Sequence, residues 1–130
     1  MANFTVGDDI TRKQGADLTG KLYYIVKQDT TAQQVVLAAA ATDKLFGVVS
    51  QLNKAGSTAV GATVSIHQRN ASGTYKVVLG GTVAIGDALT SDANGKAIAT
   101  TTSGNEVLGE ACEAGVAGQI IEFAPKTNKY

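Results

Sequence analysis

The sequence is poor in the side chains that do chemistry. Its 130 residues include one cysteine, one histidine, one proline, one methionine and no tryptophan. One cysteine excludes an internal disulfide, and one histidine excludes a His-rich metal site. There is no charge of one sign to spare, because 11 Lys and Arg balance 11 Asp and Glu. Without a cationic surplus the chain is unsuited to neutralising a phosphate backbone. Aromatic residues are 5% of the total, too few to stack single-stranded bases. The longest uncharged apolar run, Val35 to Ala41, is far short of the roughly 20 residues needed to span a bilayer. The first residues, Met1 to Asp9, show no basic segment followed by an apolar one, so secretion is not expected. The expected site of synthesis is a cytoplasm, with departure only as part of a larger particle. These absences predict no nucleic-acid partner, no membrane, no cofactor and no small-molecule substrate.

What is present is apolar and rich in glycine. Hydrophobic residues are 44% and glycines number 15, which is too apolar for disorder and long enough for one domain. Residues 1–19 mix charge with isolated Phe4, Val6 and Ile10. They read as an extended N-terminal arm outside the core. Residues 20–125 read as a single β-barrel-like domain, and 126–130 as a polar C-terminal tail. Within the domain, β-formers and alternating segments recur between turn signals. Strands are predicted around Leu22–Val26, Val35–Ala41 (with a one-turn helix as the alternative there), Leu45–Val49, Ala62–His67, Tyr75–Leu79, Ala88–Thr90, Ala97–Ala99, Val107–Ala111 and Gln119–Phe123. The pair Asn94-Gly95 suits a type I′ turn. Eight to ten short strands at this spacing predict an all-β fold, a small barrel or sandwich.

The chain also echoes itself. Leu45-Phe46-Gly47-Val48-Val49, a glycine turn and the Gly61-led strand are matched by Val107-Leu108-Gly109-Glu110-Ala111, a turn and the Gly118-led strand. Gly47 and Gly109 stand 62 positions apart, Gly61 and Gly118 57 apart. Each block is preceded by a Gly-led strand, at Gly20 and at Gly86. This order predicts an internal duplication whose glycines permit tight bends.

No catalytic constellation emerges. His67 sits one position out of phase with Val64 and Ile66 and is expected at a surface or interface. Cys112 lies between Glu110 and Glu113. Nearby carboxylates disfavour its thiolate, so a buried structural cysteine is expected. Glu106, Glu110, Glu113 and Glu122 are expected as solvated surface groups. Asp92-Ala93-Asn94-Gly95 starts like a calcium loop, but the position that needs a bidentate Glu is Ser103. Asn70-Ala71-Ser72 fits a glycosylation acceptor, which carries no weight without a secretory signal. The chain is not expected to be an enzyme.

Taken in order, several segments resemble the small capsid cement, or head decoration, proteins of bacteriophages. They are Val35-Val36-Leu37-Ala38, Leu45-Phe46-Gly47-Val48, the stretch Gly80 to Gly95 with Gly86-Asp87-Ala88-Leu89, and Val107-Leu108-Gly109-Glu110-Ala111 followed by Gly118-Gln119-Ile120-Ile121. The resemblance covers residues 21–125. It implies a β-tulip or barrel-like domain, a homotrimer, and a place on the outer surface of the virion capsid against the major capsid protein. Phe4, Val6 and Ile10 are then the expected capsid-binding residues of the arm. The competing expectation is a β-sandwich carbohydrate- or receptor-binding module of a tail or cell surface.

Overall fold

The computed structural model describes residues 9–51, 62–70 and 73–130. Ten strands and no helix occur among them. The first five are β1 (Asp9–Gln14), β2 (Ile25–Gln28), β3 (Gln34–Leu37), β4 (Leu45–Gln51) and β5 (Thr63–Gln68). They close into a barrel in the order β1-β3-β2-β4-β5. The other five are β6 (Tyr75–Val78), β7 (Ala88–Ser91), β8 (Ala97–Ala99), β9 (Glu106–Ala111) and β10 (Ile120–Lys129). They form a sheet in the order β6-β10-β9-β7-β8.

The two orders are one topology used twice. Reading β6 for β1, β7 for β2, β8 for β3, β9 for β4 and β10 for β5 turns one into the other. All shared neighbours pair antiparallel in both. The barrel closes through a parallel β1–β3 contact, Lys13 opposite Gln34. The second sheet has the corresponding contact as a single parallel bridge from Leu79, next to β6, to Ala97 of β8.

The duplication reaches individual hydrogen bonds. Gly15 N–H donates to Val35 C=O at 2.8 Å, and Gly80 N–H to Ala97 C=O at 2.8 Å. Tyr23 N–H donates to Val49 C=O and Gly86 N–H to Ala111 C=O, both at 2.8 Å. The two halves thus correspond at a spacing of a little over sixty residues, as the echo around Gly47 and Gly109 predicts. The one mismatch is in the lead. Gly86 corresponds to Tyr23, not to Gly20, and both hold a left-handed backbone, at φ 89 and φ 67. Gly47 and Gly109 share a steric requirement instead. A Cβ at Gly47 would collide with the His67 carbonyl oxygen, and one at Gly109 with that of Ala124.

The adjacent apolar pairs Ile25-Val26 and Val48-Val49 follow from burial on both faces of β2 and β4. Val26 and Val49 point into the barrel, where they pack with Ile10, Leu18, Val35, Val64 and Ile66. Ile25 and Val48 point the other way, into a second cluster with Val77, Leu79, Leu89, Leu108, Ile121 and Phe123. That cluster draws on both sheets, so one continuous core holds the halves together. Each such buried side chain contributes about 1.5–3 kcal/mol relative to exposure.

Several boundaries differ from expectation. Leu22–Tyr24 is a turn, because Tyr23 is left-handed and breaks the extended run. β3 ends at Leu37, and Ala39 and Ala40 donate instead to the Asp43 carboxylate. The Asn94-Gly95 turn is not type I′, since only Gly95 has positive φ; Asp92 organises it by accepting from the Asn94 and Lys96 amides. Residues 9–19 are not a free arm. β1 pairs with β3 and β5, and Ile10 and Leu18 are buried. Residues 126–129 are not a tail but the end of β10, with the register shifting between Pro125 and Asn128.

Candidate functional surfaces

Two polar groups are buried where the halves meet. Arg69, just after β5, is 7% exposed and Glu106, at the start of β9, is 6% exposed. Arg69 Nε donates to the Val107 and Lys126 carbonyls at 2.6 and 3.2 Å. Nη2 donates to Asn128 C=O at 2.5 Å, and Nη1 to Glu106 Oε1 at 3.2 Å. A guanidinium presents five donors in a rigid fork, and here it ties the end of β5 to β9 and β10. Glu106 Oε2 has no hydrogen-bond partner among the described residues. Glu106 is therefore not the solvated surface group expected from sequence.

His67 occupies the same junction. It faces away from Val64 and Ile66, as its phase predicts, but it is 8% exposed. Its ring stacks on Tyr75 with centroids 4.2 Å apart. Nδ1 meets Asp9 Oδ1 at 2.9 Å, while Ser50 Oγ donates to Asp9 Oδ2 at 3.0 Å. Nε2 is buried without a partner among the described residues. Burial pushes the Tyr75 phenol up, with help from Tyr23 and Asp9. The group packs and pins β1, β4, β5 and β6 together.

The remaining candidates separate. Phe4 and Val6 lie outside the described residues. Ile10 is a core residue of the barrel and offers no surface to a partner. Cys112 is exposed, not buried as expected, because it follows β9 in a loop. Its thiol is nonetheless pushed up, first by desolvation and then by Glu122, Glu110 and Glu113. Glu110 lies within β9 and pairs with Lys126 at 2.7 Å. No group of three or more His, Cys, Asp and Glu able to hold a metal occurs among the described residues. No helix there is long and apolar enough to cross a membrane.

Surface relief is concentrated beside Tyr23 and Tyr75, whose rings meet edge to face at 5.9 Å. A shallow groove of about 730 Å³ is lined there by Tyr23, Tyr75, Lys76, Glu113, Ile120 and Glu122, among others. Ile120 is 51% exposed. Next to the groove, Lys21 and Lys96 sit 4.9 and 5.8 Å from the Tyr24 ring centroid. Lys76 sits 6.0 Å from that of Tyr23. Sequence reasoning missed this grouping. Lys21, Lys76 and Lys96 are far apart in the chain, and only the stacking of the two halves brings them to adjacent rings.

The comparisons with known proteins agree with this architecture. No curated protein matches the chain. Among solved structures, the N base of the head fiber protein gp8.5 of bacteriophage phi29 is similar in fold, with a TM-score of 0.63 at 16% identity over 94% of this chain and 96% of that one. Residues 4–123 match the family described as phage cement protein. That span takes in the closed barrel and nearly all of its repeat, so the chain belongs to the phage cement proteins, a structural protein family.

Proposed function

We propose that the protein is a non-enzymatic decoration protein that binds the outer surface of a phage head and stabilises contacts between major capsid protein subunits. The observation that carries this reading is the family match across residues 4–123. The molecule suits the role, being two like β units with a shared core. The working form is a homotrimer. Three weak contacts joined in one body bind far more tightly than each alone, because the second and third are intramolecular. Such a body staples neighbouring capsid subunits against internal pressure. Phe4 and Val6 add a further contact to the capsid from the N-terminal segment; Ile10 is withdrawn from it.

The test is co-sedimentation with heads lacking the protein, with the wild type and a variant starting at Asp9. Saturable binding, shielding of the capsid's outer face from protease, and weaker binding of the shortened variant are expected. Failure of the wild type to bind heads, or its absence from purified particles, overturns the reading.

A further inference from the structure

Tyr23 holds a backbone that tyrosine seldom adopts. Its φ is 67, and the second half fills the same place with Gly86 at φ 89. A left-handed conformation costs stability in any residue that carries a Cβ. The corresponding hydrogen bond forms with glycine in the second half, so the fold alone does not call for a ring here. Backbone strain kept at such a position points to function. It turns Tyr23 out of the strand that the sequence predicts and sets it, half-buried, on the wall of the groove of about 730 Å³.

The wall carries rings, and the polar groups beside them carry both signs of charge. Tyr75 gives one face to His67, with centroids 4.2 Å apart, so its other face and its edge are what line the groove. Ile120 adds an apolar side chain that is 51% exposed. Glu122 Oε2 accepts from Thr74 Oγ1 at 2.6 Å and Glu113 Oε1 from the Glu122 amide at 2.9 Å. Both carboxylates keep their charge, and the second oxygen of each has no partner among the described residues. Lys76 stands opposite Glu122 across β6 and β10 and enters no ion pair among the described residues. One ammonium and two carboxylates thus surround an aromatic and aliphatic floor. An acidic chain laid there would meet Glu113 and Glu122, and a basic one Lys76. A sugar ring suits the mixture. Each hydroxyl both donates and accepts, so it satisfies carboxylate and ammonium alike, while the C–H face lies on apolar surface. Apolar clefts of about 300–1,000 Å³ with a few placed polar groups are the usual form of a small-ligand site.

We propose that the groove walled by Tyr23 and Tyr75 binds a neutral oligosaccharide. Tyr23 and Ile120 take the C–H face of a sugar unit, Glu113 and Glu122 accept from its hydroxyls, and Lys76 donates to them. Hydrogen bonds to charged groups are the stronger class, which gives orientation to a ligand that has no charge of its own. The site is a second capacity of the molecule and stands whether or not the chain binds heads.

The experiment titrates the full chain with maltohexaose, cellohexaose and N-acetylchitohexaose at low and high salt, following amide shifts by NMR. Hexaglutamate and hexalysine are the charged-peptide probes. At least one sugar is expected to shift the amides of Tyr23, Tyr75, Lys76, Glu113 and Ile120 to Glu122. Its affinity should change by less than about twofold between the two salts, because screening acts on charged partners. Tyr23→Gly removes the ring and gives the turn the residue its repeat uses at Gly86. It should keep the amide dispersion and lose about tenfold in affinity, as truncation of an anchoring aromatic does. Glu113→Gln with Glu122→Gln, both at exposed positions, should keep the fold and weaken binding, and this variant decides if Tyr23→Gly does not fold. Tyr130→Ala, at an exposed tyrosine outside the groove, should leave affinity unchanged. Absence of the shifts with all three sugars overturns the proposal. So does unchanged affinity in a folded Tyr23→Gly or in the carboxylate variant, an equal loss in Tyr130→Ala, or tighter binding of either peptide, which would make this a peptide groove.

Discussion

Arg69 shows how much one side chain holds here. Arg69→Ala takes the Arg69 donor from the Glu106 carboxylate and from the carbonyls of Val107 and Asn128. Removing one partner of a buried ion pair costs about 3–5 kcal/mol, and the urea midpoint is expected to fall accordingly. Arg69→Met with Glu106→Leu together is expected to cost less than either single change, because no charge is then left unpaired. Gly47→Ala and Gly109→Ala each drive a methyl into a neighbouring strand's carbonyl, which costs about 1–3 kcal/mol or more. At Gly104 and Gly118 the backbone is left-handed but nothing lies within 4 Å, so alanine there costs about 1 kcal/mol. Thermal midpoints should rank the four variants in those two groups. Asp43 gives the pH dependence. The Ala39 amide first, then Lys27 and the Ala40 amide, hold its carboxyl below the value of 3.8, outweighing partial desolvation. A depressed folded pKa stabilises above the unfolded pKa and is lost as pH falls through the folded one. The stability gap between wild type and Asp43→Asn should be full at neutral pH and close as the pH drops below 3.8. Neither Arg69 nor Asp43 stands out in the sequence. Their partners lie across the fold or in backbone amides, and no local pattern of side chains encodes that.

Elements were more legible than residues. Val64 and Ile66 alternate with polar neighbours, and β5 follows that alternation into the barrel. The Val35–Ala41 run was harder, since its alanines carry no β preference and the strand stops where Asp43 captures the next amides. β1 was hidden for a different reason. Its sequence Asp9-Ile10-Thr11-Arg12-Lys13-Gln14 buries Ile10 and Gln14 while leaving most of the rest at the surface. A strand with so few apolar residues carries almost no hydrophobic signal, and its identity comes from partners in β3 and β5. Two truncations test these edges. A chain starting at Asp9 should keep its fold, whereas one starting at Thr19 loses β1 and Leu18, opens the barrel and should lose its amide dispersion. Ending the chain at Pro125 removes the Lys126 and Asn128 carbonyls that Arg69 uses. Its urea midpoint should fall by an amount comparable to that of Arg69→Ala.

For the whole molecule, the repeat was legible because glycine is irreplaceable at Gly47 and Gly109, and that demand survives when the rest of a segment drifts. The shared core was not legible, because Ile25 and Val48 give no sign of which sheet they face. That core predicts a single unfolding step. Tyrosine fluorescence, which reports the junction, and far-UV circular dichroism, which reports both sheets, should give one midpoint; two separated transitions would show the halves to be independent.

The pairing of Ile10 with Ile66 has a consequence for the order of events during synthesis. β1 leaves the ribosome well before its antiparallel neighbour, which follows more than fifty residues later, so it is among the last strands of the barrel to find its place. Until β5 emerges, β2, β3 and β4 have two unpaired margins, which are sites for sticking to other nascent chains. Closure also bears the entropy of joining distant segments, so β1 docking is expected to be the slow, late step of folding. By then much of the second half is already being made and can cover the outer faces of β2 and β4. Duplication thus gives the nascent barrel a partner that arrives as it closes.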